Sequence, residues 1–263
     1  MKDREDGVCY SCHAEEEREF AKTFTHGPVR DGRCDSCHNP HVSGRKNLLK
    51  ATPPKLCDGC HRDLLKKGED ITAHPPFEEG ECLTCHKPHG SDEKGMIVAK
   101  QGTLCFTCHG DLEKGLKGKK STHSPAREGE CTKCHNPHRS KIESLLLAFP
   151  PELCLTCHKD MRKKMKEENT HPPAARDCLR CHKPHYSKEP TLVSEPIHDL
   201  CGECHDLSAK AFKTAHVQID SKAINCRKCH DPHASEDPKF FKKVMHPPFA
   251  GRDCGECHRV GKK

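Results

Sequence analysis

Twenty-two cysteines fall into eleven C-x-x-C pairs, and histidine follows every pair directly. The sets are Cys9, Cys12 and His13; Cys34, Cys37 and His38; Cys57, Cys60 and His61; Cys82, Cys85 and His86; Cys105, Cys108 and His109; Cys131, Cys134 and His135; Cys154, Cys157 and His158; Cys178, Cys181 and His182; Cys201, Cys204 and His205; Cys226, Cys229 and His230; and Cys254, Cys257 and His258. Two thiols at this spacing add to the vinyl groups of one porphyrin, and the adjacent imidazole ligates its iron, so C-x-x-C-H is the attachment signature of c-type haem. Disulfides give no reason for a histidine after each pair. Zinc sites built from paired C-x-x-C units want an even number of pairs. The residues therefore point to eleven covalent haems, numbered 1 to 11 along the chain, with no cysteine left for other chemistry.

Removing the attachment histidines from 23 leaves twelve. His26, His74, His123, His171, His216 and His246 lie seven to ten residues ahead of a first cysteine, enough extended chain to pass round the edge of that haem. Reach assigns them as distal ligands of haems 2, 4, 6, 8, 10 and 11. His41, His89, His138, His185 and His233 each close a C-H-x-P-H sequence. Three residues span at most about 10 Å, too little to reach the far face of their own porphyrin, and proline aims the second imidazole at a neighbour. Order along the chain then gives His41 to haem 3, His89 to haem 5, His138 to haem 7 and His185 to haem 9. His198 and His233 are left for haem 1, and His198 also reads simply as a solvated side chain. Iron held by two imidazoles is six-coordinate and offers no position to a substrate, so no catalytic residue is expected.

The elements that must position these ligands are sparse. Hydrophobic residues make up 32% of the 263, Trp is absent and aromatics total 4%, with a mean hydropathy of −0.89. Such a chain cannot bury enough apolar surface to offset its ordering entropy unaided, and haem macrocycles, at roughly 0.6 kDa each, are the missing core. Twenty prolines and 18 glycines interrupt the chain, so the expected fold is mostly irregular coil with short α-helices, near 14–22 and 161–168, and little or no β-sheet. The formal charge of +6 shows neither a basic stripe nor interleaved aromatics, which argues against nucleic acid. Ionised haem propionates turn that sum negative. No run approaches the roughly 18 apolar residues of a membrane span, and the first eight residues lack an apolar signal core.

Gaps between motifs alternate short and long, so the repeat holds two haems in about 48 residues. The expected units are 1–25 (haem 1), 26–73 (haems 2 and 3), 74–122 (haems 4 and 5), 123–170 (haems 6 and 7), 171–215 (haems 8 and 9) and an atypical 216–263 (haems 10 and 11). With its doubled motifs the whole chain resembles the multihaem c-type cytochromes. That resemblance implies an elongated chain of closely stacked haems forming a continuous electron path. Some members are soluble periplasmic carriers, and others are subunits of extracellular cytochrome filaments in which a histidine of one subunit ligates a haem of the next. Haem 1 has no upstream ligand, so His233 is expected to supply it across a head-to-tail contact between copies, a heterologous interface that generates open filaments. Further partners are redox proteins or extracellular acceptors. The expected function is long-range electron transfer by an exported protein, extracellular or at the cell surface, otherwise periplasmic. A carrier is the alternative, followed by a reductase of a small nitrogen or sulfur oxyanion with an open haem 1.

Overall fold

The computed structural model describes residues 5–65, 68 and 72–251. They hold sixteen short α-helices and eight two-residue strands, with turns and irregular chain between them, which is the coil-and-short-helix class that composition predicts. The helices expected near 14–22 and 161–168 form as Ala14–Phe20 and Lys159–Glu167. Among the described residues the buried apolar side chains are Leu155, Val193 and Ala234, and no large side chain is fully buried. So small a side-chain core stabilises little. No helix there is long and apolar enough to cross a membrane.

Three local devices recur. After an upstream histidine, proline in the first helical turn starts a short helix, as in Gly27–Arg30, Pro75–Glu78, Pro172–Arg176 and Pro247–Ala250. Proline fixes φ and lacks the N–H that a first turn leaves unpaired anyway. In the His-Pro-Pro cases it also pushes the preceding histidine into extended backbone; His74, His171 and His246 have φ near −65° and ψ of 130°, 123° and 133°. After the first haem motif of a unit, the chain turns through a left-handed corner and returns antiparallel onto the attachment histidine, giving the bridges His38 to Leu49, His86 to Ile97, His135 to Leu146, His182 to Val193 and His230 to Phe241. After the second motif a helix begins at the attachment histidine, as His13 and His158 show.

Strands join one unit to the next. β1 (Phe24–Thr25) pairs antiparallel with β3 (Gly90–Ser91), β2 (Thr72–Ala73) with β5 (Arg139–Ser140), β4 (Ser121–Thr122) with β7 (Tyr186–Ser187) and β6 (Asn169–Thr170) with β8 (Ala234–Ser235). The register is the same in all four: the residue before the upstream histidine faces the residue after the C-H-x-P-H histidine of the following unit. The chain divides into two compact units, 1–114 with 128–147 and 115–127 with 148–263. The first contains β1 with β3 and β2 with β5, the second the other two joints.

Candidate functional site

The left-handed corner orients the attachment imidazoles. The Nδ1 atoms of His38, His86, His135, His182 and His230 lie 2.7, 2.9, 2.8, 3.1 and 2.9 Å from the carbonyls of Asn47, Gly95, Ser144, Thr191 and Lys239. Donation from Nδ1–H to a carbonyl fixes the tautomer and leaves Nε2 free to ligate a metal. Aiming those carbonyls puts non-glycine residues at positive φ, among them Asn47 (56°), Ser144 (57°), Thr191 (58°) and Phe240 (61°). Left-handed backbone costs about 1–2 kcal/mol per such residue. The strain sits where a ligand must be held.

The joints position the second imidazoles. The backbone N–H groups of His26, His74, His123 and His171 donate to the carbonyls of His89, His138, His185 and His233 at 2.8–2.9 Å. Their side chains hydrogen-bond the carbonyl of the proline just before each of those histidines, Pro88, Pro137, Pro184 and Pro232. Proline in C-H-x-P-H thus supplies an acceptor as well as a bend. Seven pairs of imidazoles result. In the first compact unit His26 faces His61 with ring centroids 6.1 Å apart, His38 faces His89 at 6.1 Å, His74 faces His109 at 6.1 Å and His86 faces His138 at 5.9 Å. In the second, His123 faces His158 at 6.2 Å, His171 faces His205 at 6.2 Å and His182 faces His233 at 5.8 Å. Ring planes in all seven lie within 11–22° of parallel.

These pairs fit an iron between two imidazoles. Phe20 and His89, in direct contact, have centroids 4.0 Å apart, whereas every imidazole pair keeps a wider gap, as metal–nitrogen bonds of about 2 Å on both sides require. Burial holds His26, His74, His89, His123, His138, His182 and His233 below the usual imidazole pKa, favouring the neutral form that binds metal. Each pair joins one attachment histidine to one of the others. No disulfide joins the twenty cysteines among the described residues, and no group of three or more His, Cys, Asp or Glu there could hold a bare metal ion. The thiols of successive motifs adjoin: Cys57 with Cys82, Cys105 with Cys131, Cys154 with Cys178 and Cys201 with Cys226.

The pairing corrects most of the assignments made from reach. His26, His74 and His171 do not serve haems 2, 4 and 8; they face His61, His109 and His205, the attachment histidines of haems 3, 5 and 9, and His123 faces that of haem 7 rather than haem 6. His89 and His138 do not serve haems 5 and 7 but look back to His38 and His86, haems 2 and 4. His41 is not at haem 3, whose histidine His26 faces, and is exposed. His185 is not at haem 9, where His171 stands. His233 is spent on His182 within the chain, which removes it as the ligand of haem 1. The physical reason is common to all. An upstream histidine is tied by backbone to the following unit, so it points across the joint instead of wrapping its own haem.

His198 carries Asp199 on Nδ1 at 3.0 Å and Ser221 on Nε2 at 3.1 Å, which engages both ring nitrogens. His216 stands 6.4 Å from His230, with planes tilted by 52°. His13 contacts Glu16 at 3.3 Å, and among the described residues no ring faces it. Cys254, Cys257 and His258 lie outside the described residues, so the assignment of His246 to haem 11 does too. Sequence reasoning missed the corner carbonyls at residues 47, 95, 144, 191 and 239, because a backbone acceptor leaves no side-chain signature; their constant offset of nine residues from the attachment histidine was the available signal.

The family described as "Doubled CXXCH motif" matches residues 26–66, 74–114, 123–163 and 171–210, more than half the chain. Tandem doubled attachment motifs, thiols that form no disulfide among the described residues, and facing imidazoles together define a multihaem c-type cytochrome. The chain belongs to the doubled CXXCH motif family. No curated protein matches it.

Proposed function

We propose that this chain carries eleven covalent haems and conducts electrons over long range as an exported protein, extracellular or at the cell surface, and that copies join head to tail into a filament. The observation that carries the reading is the set of seven facing imidazole pairs strung along adjoining thiols. Haem c bound there supplies an iron that gains and loses one electron, with no position left for a substrate. The chain's own contribution is to orient the imidazoles, through the corner carbonyls on attachment histidines and the proline carbonyls on upstream ones. Cysteine contacts between successive motifs bring neighbouring macrocycles close. Export follows from the covalent attachment chemistry, which takes place outside the cytoplasm.

Intact mass and a ferric EPR spectrum test this together. Eleven added haems with wholly low-spin iron are expected; fewer haems, or several high-spin centres, contradict the reading. A second reading, a reductase, rests on His13, which no imidazole among the described residues faces. It predicts one haem that binds carbon monoxide in the native assembled protein.

A further inference from the structure

The site of haem 10 differs from the seven facing pairs. Its attachment histidine, His230, meets His216 with ring planes 52° apart, whereas those pairs lie within 11–22°. The cause is local. The Phe212 carbonyl accepts both the backbone N–H of His216 at 3.0 Å and its Nδ1–H at 2.9 Å. The helix Lys210–Ala215 therefore sets the rotation of that ring, in place of a proline carbonyl across a joint. His230 keeps its own corner acceptor, the Lys239 carbonyl. With both Nδ1 atoms engaged, both Nε2 atoms are left for one iron.

Crossed planes bear on the potential of that iron. Each imidazole raises the iron dπ orbital that lies perpendicular to its ring. Parallel rings act on a single orbital and lift it well above its neighbour, and that is the orbital an oxidised iron empties. Crossed rings divide the effect, so the uppermost orbital falls and its electron is held more tightly.

Two further features act in the same direction. Phe212 stacks on His216 with centroids 4.1 Å apart and Phe241 on His230 at 4.7 Å, so both imidazoles carry a phenyl ring. Among the described residues each near-parallel pair has one on at most one imidazole, as Phe20 has on His89. Phe241 fills the bridge position that Leu49, Ile97, Leu146 and Val193 occupy elsewhere. An apolar shell favours the less charged ferrous state. Arg227 and Lys228 are the two residues between Cys226 and Cys229; no other C-x-x-C pair encloses two cations, and those of haems 2 and 3 enclose Asp35 and Asp58. Positive charge beside the macrocycle stabilises an added electron. Arg227 also reaches the Thr191 Oγ1 at 3.1 Å, in the corner of His182, so haem 8 shares part of that charge.

We propose that haem 10 has a more positive potential than the seven haems of the near-parallel pairs, so that electrons entering the chain settle there. The inference rests on the haem reading above and gives it a direction. One electron passes from a ferrous haem of a near-parallel pair to ferric haem 10, and no bond forms or breaks. Phe212 and Phe241 are positioning residues that act through the imidazoles they cover.

Redox titration of the full haem-loaded chain, followed by low-temperature EPR, tests this. Crossed rings leave the ferric dπ orbitals close in energy, which gives the most anisotropic low-spin signal. Wild type is expected to lose that signal first as the potential is lowered, ahead of the signals of the near-parallel pairs. His216→Ala should replace it with a high-spin signal, which assigns it to haem 10. Lys228→Glu, at an exposed position, should move its midpoint negative by more than that of any other signal and leave its g-values unchanged. Phe212→Ala should also move it negative. If His216→Ala leaves that signal in place, if it outlasts the others during reduction, or if Lys228→Glu moves all midpoints alike, the sink is overturned while the haem reading stands. A chain with no low-spin haem signals overturns both.

Discussion

Two stretches of the second compact unit carry the same nominal parts and use them differently. His171 sits extended at the start of a Pro-Pro helix, donates its N–H to the His233 carbonyl and faces His205 with planes 17° apart. His216 instead closes the helix Lys210–Ala215, donates its N–H to Phe212, has the Phe212 ring against it at 4.1 Å and meets His230 at a 52° tilt. Proline follows the first histidine and valine the second. A helix can run up to His216 because nothing forces it into extended backbone, and the two residues after it, Val217 and Gln218, take φ of 52° and 59°. The family match ends at residue 210, ahead of this departure. Proline after the histidine favours the crossing geometry, and His26 and His123, followed by Gly27 and Ser124, reach it as well through their bonds to the His89 and His185 carbonyls.

The largest effect expected is common to both stretches: a chain produced without haem should show no cooperative thermal transition in circular dichroism, because its buried apolar side chains are so few. A sharp transition would show that side chains alone fold it. Next, His171→Ala should leave the haem at His205 five-coordinate, seen as one high-spin signal and a carbon monoxide shift. His216→Ala should leave that haem unchanged and alter only the haem at His230, which breaks the comparison if the two variants look alike. Third, Gly102→Ala should lower stability in denaturant by about 1–3 kcal/mol through overpacking. A Cβ there stands 2.9 Å from the Gly129 Cα, and Gly129 itself holds a φ of +73°. The smallest effect separates a buried serine from a more open one. Ser187→Ala, which strands the buried Val193 carbonyl bonded at 2.5 Å, should cost about 1 kcal/mol, and Ser43→Ala, whose bond to the Leu49 carbonyl is only partly buried, should cost less.

Much of this was legible in the residues. Eleven C-x-x-C-H sets and a poor apolar composition gave the class of site and the near absence of a side-chain core, because covalent attachment demands fixed residue types at fixed spacing. The distal partners were not legible. Chain reach is a local argument, and it sent His26 to His38; the controlling contact is the bond from the His26 N–H to the His89 carbonyl, set by a two-residue ladder with no periodicity to read. His233 failed for the same reason. It looked spare because its partner, His182, belongs to the preceding unit. The corner carbonyls escaped notice as backbone atoms, and the strained positions that aim them are mostly filled by ordinary residues such as Thr191 and Ser144, with glycine at Gly95.

Crossed ligation between motifs is the central claim, and a cryo-electron microscopy map of the haem-loaded protein that resolves axial ligands tests it most directly. The account predicts His89 on the iron of His38 and His26 on the iron of His61, with the same exchange for His86 with His138 and His74 with His109. Finding His26 on the iron of His38 and His41 on that of His61 would contradict it.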